Sequence, residues 1–476
     1  MEMKVQGRFS EESDDEQIHC NEKPVSLVFL LQVSLVSSFV LLCYYLAWSE
    51  ERVVDTDFYP ESIDPFLCSH LVYSDASESA DMSLWKDDDL YQRFNDLKKK
   101  NKNLKTLMGY GGWAFDSSSF SDMAAQQNTR TDFINSTIDF LRSHGFDGLD
   151  LDWRFPAFED SPASDKKNFT LLVKDLKEAF EQEAKETGKE RLLLTAPVAA
   201  KEQIISSAYE IPEISKYLDL ISVMTYDFHG VQDQFTAHHS PLHPGSADNK
   251  SNSIVSIRYA LKYWRDKGAP AEKLLVGFPA FGNTYKLSTS KKDLSVPVSG
   301  GGSPGPYSAL SGFLAYHEIC AFLKDASLQF INDQMVPYAF KGNEWLGYDD
   351  QKSFKTKAQW VKDNKFGGAM LWALDLDDYN GTHCAQGVYP LTNTLKSVLD
   401  IKFTGCTSFF AVAMKVPVSH NGYGTLFLGL TTRVCLSNPD ISPHHKELCV
   451  LPLPSPSLYL KQGRRDSNVT LSMPDV

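Results

Sequence analysis

Short apolar runs at 39–46, 70–74, 104–109, 146–152, 191–197, 220–226, 273–279 and 368–373 predict eight strands. Amphipathic stretches separate them. In 165–185, Phe169, Leu172, Val173, Leu176 and Phe180 share one helical face, with Lys, Glu and Asp opposite. Eight strands with intervening helices predict an α/β chain folded as a (β/α)8 TIM barrel, spanning 39–280 and 353–403. In that architecture, residues at the carboxyl ends of the strands carry function. The stretch 281–352 is too long for an ordinary connection between strands seven and eight. It holds a Gly/Pro-rich piece (299–306), a helical pattern (312–324) and aromatic strands near 337–348, which predict a small α+β insertion domain. From 404 the pattern ends. Residues 404–476 carry Pro-rich and basic fragments and an apolar piece at 423–431, and are expected to be a poorly ordered C-terminal tail. No internal repeat is evident.

Val25 to Trp48 contains no charged residue and is long enough to span a bilayer. Two readings compete. In the favoured one, 1–24 is an N-terminal leader and 25–38 the apolar segment of a signal peptide, cut near Ser37-Ser38. Phe39–Leu46 is then the first core strand. In the other, 25–47 is an uncleaved membrane anchor, but a strand buried in a barrel cannot also cross a membrane. The acidic stretch 11–16 is unusual ahead of a signal peptide.

Candidate chemistry concentrates in 146–156, Phe-Asp-Gly-Leu-Asp-Leu-Asp-Trp-Arg-Phe-Pro. Strand alternation puts Asp150, Asp152 and Arg154 on one face, and Leu149, Leu151 and Trp153 on the other. Three carboxylates at this spacing would raise one another's pKa and supply an acid. Here the third rung is a guanidinium, which keeps its proton at any relevant pH. The bland reading of Arg154 is a salt bridge that neutralises the two aspartates. His238 and His239 are adjacent in a polar loop, a pattern that predicts solvated histidines rather than a metal site.

Composition narrows the partners. The formal charge is −14, from 61 acidic against 47 Lys and Arg residues, so nucleic acid and anionic membrane surfaces are poor partners. Aromatic content of 12% suits a sugar cleft and a large core equally. Eight cysteines without a Cys-x-x-Cys pair argue against a zinc ribbon or a thioredoxin site. Glycosylation acceptors occur at Asn135, Asn168, Asn249, Asn380 and Asn468, which agrees with export.

The run at 146–156 resembles the signature of glycoside hydrolase family 18, Asp-Gly-x-Asp-x-Asp-Trp-Glu-Tyr-Pro. Only the final Glu and Tyr differ, being Arg154 and Phe155. Gly-Gly-Trp at 111–113, Met-Thr-Tyr-Asp at 224–227, Gly-Phe-Pro at 277–279 and Gly-Gly-Ala-Met-Leu-Trp at 367–372 extend the likeness to vertebrate chitinases and chitinase-like lectins over roughly 39–403. The resemblance implies disulfides Cys43–Cys68 and Cys320–Cys384. Cleavage of the leader removes Cys20 and leaves Cys406, Cys435 and Cys449 over. It also implies that the missing Glu is the general acid, while the sugar's own N-acetyl oxygen attacks the anomeric carbon. By the same likeness Asp152 orients the acetamido group, Asp150 supports it, Tyr226 donates to the acetamido oxygen, and Asp227 helps to bind the sugar. Trp372 is the ring on the barrel floor and Trp113 serves a neighbouring subsite. Met224 and Tyr45 complete the expected substrate-binding set, and Trp153 packs on the opposite face. Phe281, Gln232 and Asp75 stand where relatives carry Tyr, Trp and an aromatic.

The expectation is an extracellular, chitinase-like protein that binds chitin or chitooligosaccharides with hydrolysis lost at Arg154. No metal or organic cofactor is implied, and the oligomeric state is not set by the sequence. Two alternatives stand beside it. One is an active endochitinase using another acid, with Glu159 the nearest carboxylate beyond Pro156. The other is a protein-interaction scaffold whose cleft takes no sugar.

Overall fold

The structure is a computed structural model that describes residues 39–52, 56–74, 87–245 and 255–403, and tail strands within 411–472. The leader, the apolar segment 25–38, Asp75, Asn249, Asn468 and Cys20, Cys406, Cys435 and Cys449 lie outside the described residues.

Seven strands alternate with helices before the insertion: β1 (Val40–Leu46), β2 (His70–Ser74), β3 (Lys105–Gly111), β4 (Gly148–Asp152), β5 (Leu193–Val198), β6 (Leu220–Val223) and β7 (Leu274–Pro279). The insertion contributes β8 (Phe281–Leu287) through β13 (Glu344–Gly347), and β14 (Gly368–Trp372) returns to the barrel. All eight barrel strands pair in parallel and close in the order β1-β14-β7-β6-β5-β4-β3-β2. The predicted barrel stands. Strand β2 falls where expected and the other boundaries move by up to three residues, most at β6, which ends at Val223 rather than Tyr226.

The shell shows why these elements form. Helix α1 covers Asp88–Lys100, α2 Ser117–Ala125, α3 Gln127–His144 and α4 Asp165–Thr187. Helix α4 buries Phe169, Leu172, Val173, Leu176 and Phe180, the face that its periodicity predicts. Helix α3 stops at Gly145, whose φ of 77° lets its N–H reach the Leu141 carbonyl. Strand β4 divides its side chains as expected. Leu149, Leu151 and Trp153 face the helices, where the Trp153 ring stacks on Phe120 at 5.1 Å, while Asp150 and Asp152 point into the barrel.

The insertion is an antiparallel sheet ordered β10-β8-β13-β12-β11, with β9 (Val298–Gly301) on β8. Here β10 is Phe313–Ala315, β11 Ser327–Ile331 and β12 Val336–Lys341. Helix Tyr316–Leu323 packs beside it. A small core of Tyr285, Leu287, Val296 and Trp345 fills this sheet. Cys320–Cys384 ties the insertion's helix to the segment after β14, and Cys43–Cys68 ties β1 to the segment before β2. Within the expected poorly ordered tail, backbone strands Ala411–Val418, Gly422–Gly429, Ser457–Lys461 and Val469–Ser472 pair as an antiparallel sheet. Among the described residues no helix is long and apolar enough to cross a membrane.

Candidate functional site

A cleft of about 660 Å³ opens at the carboxyl ends of the barrel strands and is lined in part by the insertion. Most barrel strands contribute residues at or just past their carboxyl ends. Leu46 ends β1 and Trp48 follows it, Gly111 ends β3 with Gly112 and Trp113 just beyond, Arg154 lies two residues beyond β4, Tyr226 and Asp227 follow β6, and Trp372 ends β14. The insertion adds Phe281, Asn283, Tyr307, Ser308, Leu310 and Phe313.

The base of the cleft is dominated by one ion pair. Arg154 Nε donates to Asp152 Oδ1 at 2.7 Å and Nη2 donates to Oδ2 at 2.7 Å. Both carboxylate oxygens are occupied in a fork–fork geometry, the strongest form of this pair. Asp152 is 6% exposed and does not line the cleft, whereas Arg154 does. Burial works against the charged guanidinium, but the Asp152 charge and its hydrogen bonds outweigh that and raise the Arg154 pKa above its ordinary value. The guanidinium carbon lies 5.5 Å from the Trp372 ring centroid, within cation–π range. Gly111 and Gly112, at φ of 104° and 122°, bring the β3 end close; a Cβ on Gly111 would sit 2.2 Å from the Asp152 carbonyl oxygen.

Asp150 is fully buried below this pair. It accepts from the Tyr44 hydroxyl at 2.6 Å and from Thr195 Oγ1. Burial pushes its pKa up to about 6, against those two hydrogen bonds. The same Tyr44 ring packs on Trp372 at 4.9 Å. Tyr226 is nearly buried, and its hydroxyl pKa is raised by desolvation although Arg154 opposes the shift. Asp227 faces the cleft, accepts from Asn283 Nδ2 at 3.2 Å and has His239 Nδ1 at 3.7 Å. Desolvation opposes its charge, yet His239 and Asn283 hold its pKa below the usual carboxylate range.

The structure therefore brings Trp113, Arg154, Tyr226, Asp227 and Trp372 to one cleft, with Asp150 and Asp152 directly beneath. Two expected substrate contacts are not there. Tyr45 is fully buried on the outer side of β1, where its hydroxyl donates to Glu50 and its ring meets Tyr73, Phe58 and Phe94. Met224 is buried in the hydrophobic core and does not line the cleft. The histidine reading is also overturned. His238 and His239 are buried because the insertion covers their loop; His238 Nε2 donates to the Tyr348 carbonyl while its Nδ1 accepts from the Ser240 N–H. Gln232 is exposed and outside the cleft.

The insertion walls one side of the cleft, as expected from the sequence, but sequence reasoning missed Tyr44, Arg52 and the insertion residues Asn283, Tyr307, Ser308, Leu310 and Phe313. Alternation along β1 from Leu46, which lines the cleft, points to Tyr44 rather than Tyr45. Arg52 lines the cleft and is anchored to the buried Asp375 at 2.6 Å. Tyr307 and Ser308 are held by Glu318, which is 2% exposed. Its Oε1 accepts both backbone N–H groups at 2.8 Å, and Oε2 accepts from Ala315 N–H at 2.9 Å.

Comparisons agree with this geometry. The sequence profile of glycosyl hydrolases family 18 matches residues 40–377. Human chitinase-3-like protein 2 is 44% identical over 378 residues, covering 78% of this chain and 96% of that protein. The oviduct-specific glycoprotein of Mesocricetus auratus is 42% identical over 424 residues, or 88% of this chain and 62% of that longer relative. Among solved structures, human YKL-39, described as a pseudo-chitinase with retained chitooligosaccharide binding properties, superposes with a TM-score of 0.73 at 44% identity. That match covers 76% of this chain and all of the other.

Proposed function

The chain belongs to glycosyl hydrolases family 18, and on that premise we propose that it is a secreted binder of chitin or chitooligosaccharides that does not hydrolyse them. The observation that carries this reading is the forked Arg154–Asp152 pair at the base of the cleft. Cleaving a glycosidic bond requires a proton for the departing oxygen. In the route that uses the substrate's acetamido group as nucleophile, that proton must come from a single protein acid. A guanidinium donates hydrogen bonds but does not release its proton. Its Asp152 partner has both oxygens engaged, so it is not free to orient an acetamido group.

Among the described residues no other carboxyl is placed to supply that proton: Asp227 faces the cleft, but its pKa is held below the usual carboxylate range, so it is ionised. Asp150 has a raised pKa, but it is fully buried, holds two hydrogen bonds and does not line the cleft. Glu159 is exposed and also lies outside the cleft lining. A general acid contributes about 10²–10⁴-fold to such reactions. Binding draws on other groups. Trp113 is 76% exposed at the cleft and offers an indole face for the apolar side of a sugar, while Asp227 and Asn283 offer polar partners. Retained oligosaccharide binding in the YKL-39 relative supports the same assignment. Two disulfides and the apolar run ahead of β1 support export.

The test pairs two assays on purified protein. A chromogenic chitobioside releases no chromophore, and titration with chitohexaose gives saturable heat. Hydrolysis of chitin at the rate of active relatives refutes the reading; absence of heat favours the scaffold alternative. An Arg154→Glu variant is expected to regain turnover.

A further inference from the structure

Arg154 has a second consequence, which rests on the sugar-binding assignment above. We propose that its guanidinium occupies the floor of the cleft over Trp372, so that oligosaccharides bind on the outer part around Trp113 and short ones are excluded.

Four observations combine. The guanidinium carbon stands 5.5 Å from the Trp372 ring centroid. It is fixed there by two 2.7 Å hydrogen bonds to Asp152, whose own position at the end of β4 is set by the barrel ladder. The Tyr44 ring also packs on the same indole, at 4.9 Å. Finally, Arg154 lines the cleft while Asp152 does not, so the cation forms the floor that a ligand meets.

A sugar ring stacks on an indole only when its apolar face reaches van der Waals contact. At Trp372 that contact requires Arg154 to leave. Leaving would strip a nearly buried carboxylate of both hydrogen bonds, which is costly for a charge in this setting. The outer cleft carries no such obstacle. Trp113 is 76% exposed, Leu310 is 57% exposed, and Trp48 and Phe313 complete an apolar lining. A ligand held there gains contacts only as it grows long enough to span from one lip to the other. Chain length, rather than the terminal sugar alone, then becomes the selected property.

The experiment is a calorimetric titration of the whole protein with N-acetylglucosamine oligomers from dimer to hexamer, run on wild type and Arg154→Ala. The expected wild-type series shows no measurable binding of the dimer and a steep rise from tetramer to hexamer. Arg154→Ala gains affinity most for the dimer and trimer, by about two- to tenfold, the scale of one added ring contact. Crystals of wild type soaked in chitotetraose give an answer that needs no variant. Sugar density over Trp113, with Arg154 still on Trp372, supports the proposal. A sugar stacked on Trp372, or a dimer bound equally by wild type and variant, overturns it and leaves the sugar-binding assignment standing. No heat from any oligomer with either protein overturns that assignment, and this proposal with it.

Discussion

Removing the positive charge from Arg154 while keeping its bulk tests how the cleft base is held. In Arg154→Met, Asp152, only 6% exposed in the wild-type protein, loses both side-chain hydrogen bonds. Breaking a buried ion pair by deleting one partner costs about 3–5 kcal/mol. The Arg154 side chain is 18% exposed beside an open cleft, so water moderates the loss and we expect about 2–3 kcal/mol. A barrel of roughly 360 residues unfolds with an entropy of about 0.8 kcal/mol/K, which converts this to a Tm drop of about 3 °C. Scanning calorimetry at neutral pH measures it. The double variant Arg154→Met/Asp152→Asn leaves no bare charge and should recover most of the loss, because replacing both partners is far cheaper than orphaning one. A single variant as stable as wild type, or a double variant no better than the single, refutes the reasoning.

Two further outcomes follow from buried groups. Asp150 has its pKa raised from 3.8 to about 6 by burial. A raised carboxyl pKa contributes stability that is complete below the unfolded value and is lost as pH rises through the folded one. Between pH 4 and pH 6.5 this group alone should therefore lower stability by up to about 3 kcal/mol, and Asp150→Asn should flatten that part of a pH–Tm profile. Lys357 and Asp349 form a fully buried pair at 2.6 Å, with Lys357 also donating to the Ser240 carbonyl. Lys357→Met should cost about 3–5 kcal/mol in denaturant unfolding, and much less when Asp349→Leu accompanies it.

Local periodicity made much of this molecule legible. Alternation in β4 correctly separated Asp150 and Asp152 from Leu149, Leu151 and Trp153, because a barrel strand cannot change which side is inward without a bulge. It would have corrected the choice of Tyr45 had the phase of β1 been anchored on Leu46. Contacts between distant segments were not legible. His238 and His239 sit in a polar run, and distant segments bury them: residues 347–348 over His238 and Phe281 against His239. Arg52 reads as one more surface charge until Asp375, more than three hundred positions later, is brought within 2.6 Å. The α+β insertion was visible as an over-long connection, but which of its residues reach the cleft depends on how its sheet packs beside β7 and β14.

The Glu318 carboxylate has a bearing beyond its own hydrogen bonds. One oxygen takes the two backbone amides of the segment that carries Tyr307 and Ser308 to the cleft, and the other takes Ala315 N–H at the start of its own helix. Those three bonds involve no residue of the barrel strands. Shortening this one side chain would loosen the flank of the groove, leaving Tyr307 held by its ring contacts with His317 and His383, without touching the pairing of the eight-stranded scaffold. Ligand preference in this chain is therefore free to drift by changes in the insertion that the main domain never registers as a loss of foldedness.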